Sequence, residues 1–132
     1  MNIFYADDDS DDREIFCTAI EQIDPAIIVT LSRNGQEAME TLTTQALPPK
    51  FIFLDVNMPR MNGIECLIQL KSDNRLKNIP VVIYSTTSDI NEINKLLLLG
   101  ADDFITKVAS FEKLTASLHQ VLTKEHLTIN QS

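Results

Sequence analysis

The chain has 132 residues, enough for one domain with a full core and no need of staples. A formal net charge of −8 excludes the basic face of non-specific nucleic-acid binding, and the N-terminus has no basic segment followed by an apolar core, so no signal peptide is expected. Cys17 and Cys66 lack metal-ligand spacing and suit reduced thiols in a cytoplasmic protein, while Leu96 to Leu99 is far too short for membrane insertion.

Asn2 to Ala6 is a short apolar run that fits a first strand, ended by Asp7-Asp8-Asp9. Ser10 or Asp11 is expected to cap a helix in which Ile15, Phe16, Ala19, Ile20 and Ile23 recur at helical spacing, closed by Asp24-Pro25. Ala26 to Ser32 is β-branched and predicts a second strand, ended by Asn34-Gly35. A shorter helix turns Ala38, Met39 and Leu42 inward and stops before Pro48-Pro49. Phe51 to Leu54 then gives four apolar residues in a row, as in a strand buried on both faces. That run ends at Asp55, and Pro59 cannot continue a central strand because it has no N–H for the ladder.

Asn62-Gly63 leads into a helix with Ile64, Leu67, Ile68 and Leu70 apolar. Pro80 to Ser85 predicts a fourth strand around Val81, Val82 and Ile83. Ser88 or Asp89 caps a helix to Leu99, and Gly100 is placed to end it. Phe104 to Thr106 is the fifth strand, ending at Lys107, and Ser110 caps a last helix with Phe111, Leu114, Leu118, Val121 and Leu122 on one side. A polar tail follows from about residue 125, and no output domain is expected. Five strands alternating with five helices require crossovers, hence a parallel sheet with helices on both faces, a doubly wound α/β domain over residues 1–124.

In a parallel sheet every strand ends at the same edge, where such folds place their ligands. That edge gathers Asp7 and Asp8 from the first strand, Asp55 from the third, Ser85-Thr86 from the fourth and Lys107 from the fifth. Crowded carboxylates repel one another unless a cation intervenes, and an all-oxygen set with room for waters suits Mg²⁺. An aspartate is a competent nucleophile toward a phosphoryl group, with Ser85 and Lys107 suited to the anionic product.

These residues, with the run Asp55-Val-Asn57-Met-Pro59-Arg-Met61-Asn-Gly63, resemble the response-regulator receiver domain of bacterial two-component signalling, from about Asn2 to Lys124. The resemblance implies a flavodoxin-like sheet in the order 2-1-3-4-5, with Asp55 as phosphoacceptor for a sensor histidine kinase or phosphotransfer protein. It implies Mg²⁺ or Mn²⁺ held by Asp8, Asp55 and the Asn57 backbone carbonyl, with Asp7 acting through water. Ser85 and Phe104 would be the switch residues, and Lys107 the conserved lysine. A signalling domain rather than an enzyme is implied, acting on a downstream partner or through a homodimer formed by the fourth helix, fifth strand and fifth helix. Relay of the phosphoryl group is open beside signalling by conformational change, and a receiver-like interaction module that acts without phosphorylation is the alternative reading.

One departure from that family matters. The family usually follows its lysine with a proline in a cis bond, whereas Val108 stands here. A cis bond before a non-proline residue costs about 2.5–4 kcal/mol, so a trans Lys107–Val108 bond is expected.

Rival chemistries lack their residues. An aspartate-nucleophile phosphatase of the haloacid dehalogenase type needs a second carboxylate where Asn57 stands. A nucleotide- or flavin-phosphate loop needs clustered glycines, and a calcium loop needs one inside Asp7 to Asp12. His119 and His126 are expected to face solvent rather than act as phosphodonors. Leu96 to Leu99 point all round one helix, so some must be exposed, and Ile93 with Leu97 or Leu98 is expected to form part of a partner face beside Phe104.

Overall fold

A computed structural model describes residues 1–124, so the polar tail and His126 lie outside the described residues. Ten elements alternate along the chain: β1 (Asn2–Ala6), α1 (Ser10–Ile23), β2 (Ile28–Ser32), α2 (Gly35–Thr44), β3 (Phe51–Leu54), α3 (Gly63–Ser72), β4 (Val81–Ser85), α4 (Ile90–Leu98), β5 (Asp103–Thr106) and α5 (Phe111–Thr123). The five strands form one sheet in the order β2-β1-β3-β4-β5, every pair parallel. The expected doubly wound topology is therefore present.

Alternation along each strand divides the core into two layers. Phe4, Ile52, Leu54, Val81 and Ile83 pack with Ala38, Leu42, Cys66, Leu67, Leu70 and Leu96, which places α2, α3 and α4 on one face. Tyr5, Phe53, Val82, Tyr84 and Ile105 pack with Phe16, Ala19, Ile20, Leu114, Leu118 and Val121, which places α1 and α5 on the other. Central strands buried on both faces must be apolar at every position, as Phe51 to Leu54 is. Each large apolar side chain buried this way stabilises the fold by about 1.5–3 kcal/mol.

The structure corrects several local expectations. Asp9, not Ser10 or Asp11, caps α1, its side chain accepting from the backbone N–H groups of Asp11 and Asp12. β2 begins at Ile28 rather than Ala26, because Asp24 draws the chain into a turn by accepting from the N–H groups of Ala26 and Ile27. Ile15 and Ile68 are exposed rather than inward. Each lies beside a deeper residue, Phe16 and Leu67, and the narrow stripes that α1 and α3 turn to the sheet leave them outside. Asp89 caps α4, and Gly100 follows it with φ 114°, a left-handed conformation that a side chain would disfavour.

Candidate functional site

β1, β3, β4 and β5 end side by side, so the residues just past them meet above the carboxyl edge of the sheet. The ladder hydrogen bonds fix their depth: the Asp7 N–H donates to the Ser32 carbonyl, Asp55 N–H to Ala6 and Lys107 N–H to Ser85, at 3.0, 3.0 and 2.7 Å. Asp7 is fully buried, and its carboxylate accepts from the Tyr5 hydroxyl, from the Asp9 N–H at 3.0 Å and from Lys107 Nζ at 2.7 Å. Arg13 Nη1 donates to the Asp7 carbonyl at 2.7 Å. Asp55 is buried as well, and Asp8 is exposed.

Lys107 unites the site. Its ammonium donates to Asp7 Oδ2 at 2.7 Å, Asp12 Oδ2 at 2.9 Å and Asp55 Oδ1 at 3.2 Å, with only 11% of the side chain exposed. It also stands 5.2 Å from the centre of the Tyr84 ring. A solvated surface lysine would show none of this. Burial alone would lower the Lys107 pKa, but hydrogen bonds and attraction from Asp7, Asp12 and Asp55 reverse that and raise it, so the group is a fixed positive charge.

Asp55 behaves in the opposite sense. Burial, and then repulsion from Asp7, push its carboxyl up to about 6, against the pull of Lys107. Burial beside the Asp7 charge raises the Tyr5 hydroxyl too, which keeps it a donor to Asp7. One cation facing several acids leaves the site short of positive charge. Asp7, Asp8 and Asp55 can each offer a carboxylate oxygen with all of these atoms within 4.8 Å of one another. That all-oxygen donor set fits a divalent cation such as Mg²⁺ or Mn²⁺.

The segment between β3 and α3 carries Asn57, which is exposed. It is closed by a 2.8 Å hydrogen bond from the Gly63 N–H to the Val56 carbonyl. A Cβ on Gly63 would collide with the Asp55 carbonyl oxygen and stand 2.8 Å from Val56 Cα, so only glycine permits this approach. Arg60 and Met61 adopt φ of 59° and 125°, backbone strain that the closed loop holds just before α3.

Ser85 is buried, and its hydroxyl accepts from the Thr87 N–H at 3.3 Å. Phe104 is half-buried against the α2–α3–α4 layer. The Lys107–Val108 bond is trans, as expected without proline. His119 is exposed. Leu97 and Leu98 are exposed, Leu98 by 87%, whereas Leu96 is buried and Ile93 is half-buried, so the exposed stripe is narrower than one that includes Ile93 fully.

A family model, the response regulator receiver domain, matches residues 3–119. The chain belongs to this family. Receiver domains are the signalling domains of two-component response regulators, and the comparisons agree on that level. Chemotaxis protein CheY1 of Helicobacter pylori is 30% identical over 122 residues, covering 92% of this chain and 97% of that protein. Hybrid signal transduction histidine kinase D of Dictyostelium discoideum is 37% identical over 95 residues, 72% of this chain but 6% of that protein. The chain spans less than a third of the length of several curated relatives it matches. Among solved structures, the phosphorylated cyanobacterial phytochrome response regulator RcpA superposes with a TM-score of 0.83 at 32% identity, covering 91% of this chain and 89% of that one.

Sequence reasoning found Asp7, Asp8, Asp55, Ser85 and Lys107 but missed three neighbours. Tyr5 lies two residues before Asp7, on the same side of the strand, which was a usable signal. Tyr84 precedes Ser85 and faces the α1–α5 layer beside Lys107. Asp12 stands in a run of acids at the start of α1, where nothing in its spacing singles it out.

Proposed function

We propose that this receiver domain accepts a phosphoryl group on Asp55 from the phosphohistidine of a sensor kinase or phosphotransfer protein, and signals the event to a protein partner. The observation that carries the reading is the placement of buried Asp55 beside Asp7, Asp8 and the Lys107 ammonium at one sheet edge. An Asp55 carboxylate oxygen attacks phosphorus, a P–O bond forms, the P–N bond to the donor imidazole breaks, and the departing nitrogen keeps the electron pair and takes a proton from water. Lys107 donates to a phosphoryl oxygen as charge develops there. Asp8, Asp55 and the Asn57 backbone carbonyl would hold Mg²⁺ or Mn²⁺, with Asp7 through water, and the ion supplies charge neutralisation at the transferring group.

The new acceptor oxygens on Asp55 then draw the Ser85 hydroxyl toward them, and the space released admits the Phe104 ring. The readout surface is α4, β5 and α5, where Ile90, Leu97 and Leu98 are exposed and an open groove of about 880 Å³ is lined by Phe104, Thr106, Val108 and Val121. RcpA, a solved relative, is described as phosphorylated, which supports the same chemistry here.

The test is a pull-down from extract with and without beryllium fluoride and Mg²⁺. Partners that bind only the activated form support the reading. A partner set indifferent to activation favours an interaction module that works without phosphorylation.

A further inference from the structure

Lys107 holds one carboxylate, Asp12, beyond the pair it shares with the acidic cluster. Its ammonium has three N–H groups, and Asp7, Asp55 and Asp12 take one each. Asp12 comes from α1, 95 residues away in sequence, and bonds at 2.9 Å. A carboxylate in the first turn of a helix is favourable without any partner, and the neighbouring Asp11 is exposed in that ordinary way. Asp12 differs. Its backbone N–H is held by the Asp9 cap at 3.2 Å, and its half-buried side chain, 30% exposed, is turned onto Lys107. Among the described residues, Asp12 also stands outside the carboxylate set that can meet around a cation, which is Asp7, Asp8 and Asp55.

We propose that Asp12 is a positioning residue for phosphoryl transfer: by taking one N–H of Lys107 from α1, it aims another at Asp55. The proposal rests on the reading of Asp55 as phosphoacceptor. A lysine head is a compact charge on a flexible four-carbon stem, so one bond fixes little of its orientation. Two bonds, to Asp7 and Asp12, fix the direction of the third N–H. Asp7 must share its oxygens with Tyr5, Lys107 and the cation's water shell, whereas the Asp12 bond is independent of that shell. Transfer therefore begins with the donor N–H already aligned, which is where orientation contributes to rate.

The experiment measures initial rates of Asp55 labelling by acetyl phosphate at saturating Mg²⁺, with donor concentration varied. Asp12→Ala is expected to lower the maximal rate about tenfold while the half-saturating donor concentration changes by less than about twofold. Asp12→Asn, which keeps an acceptor oxygen, should be slowed less. In a Lys107→Ala background, adding Asp12→Ala should change the rate by less than about twofold, because the contact is already gone. Equal slowing in both backgrounds, no slowing at all, or an Asn variant as slow as Ala would overturn the role of Asp12. Peptide mapping separates the two claims: label on a residue other than Asp55 overturns the phosphoacceptor reading, and this proposal with it.

Discussion

Lys107 Nζ lies 3.2 Å from Asp55 Oδ1, although 52 residues separate them in sequence. The pair is largely buried, and Asp7 shares the same ammonium. Removing one partner of such a cluster leaves uncompensated charge in a region poor in water. Lys107→Ala is therefore expected to destabilise the metal-free domain by about 3 kcal/mol, measured by urea unfolding in chelator. Mg²⁺ should recover part of that loss, since a second cation can answer the same carboxylates. A variant as stable as wild type in chelator would contradict this electrostatic reading of the site.

The raised carboxyl of Asp55 makes stability depend on pH. Its value of about 6 lies above the ordinary carboxylate, near 3.9. A group raised in the folded state contributes stability that is present below the ordinary value and is lost as pH rises through the folded one. In chelator, Asp55→Asn should thus gain on wild type by about 2 kcal/mol between about pH 4 and about pH 8. Urea unfolding at several pH values gives the gap directly. A gap that does not change with pH would show that Asp55 titrates as in an unfolded chain.

Ser85 and Phe104 should act together. Beryllium fluoride with Mg²⁺ is expected to shift the Phe104 ring resonances in wild type, and these shifts should be absent in Ser85→Ala. The half-buried position of Phe104 sets the expectation that the change is a redistribution between ring positions rather than a passage from full exposure. Undiminished shifts in Ser85→Ala would refute the coupling.

Leu97 and Leu98 are exposed on α4 and make no part of the core layers. Changing both to Glu should leave Asp55 labelling within about twofold of wild type, since both stand exposed on α4, apart from the Asp7–Asp55–Lys107 cluster. Association of the activated form with its partner or with itself should weaken by tenfold or more, roughly the loss of one buried leucine contact. Sedimentation of the activated protein reads this. Unaltered association in the double variant would remove this face from consideration.

Much of this was legible in the residues because a parallel sheet turns sequence order into position. Apolar runs such as Phe51 to Leu54 end at one edge, so Asp7, Asp55 and Lys107 had to meet there. What was hidden depends on helix rotation. Neighbouring helical residues point about 100° apart, so whether Asp11 or Asp12 reaches Lys107, and whether Ile15 or Phe16 reaches the sheet, turns on a single step of phase. In α1 that phase is the one that buries Phe16, Ala19 and Ile20 against the sheet, with Asp9 rather than Ser10 or Asp11 as the cap. The start of β2 was hidden for a similar local reason, the turn that Asp24 imposes on β-branched residues.

Asp55 is expected to take a phosphoryl group in a cation-dependent reaction at this sheet edge. Intact mass after incubation with acetyl phosphate and Mg²⁺ tests it most directly, on wild type, on Asp55→Asn and on wild type in chelator. The expected result is a gain of one phosphoryl unit in wild type with Mg²⁺ alone. Labelling that persists both in Asp55→Asn and in chelator would contradict the account.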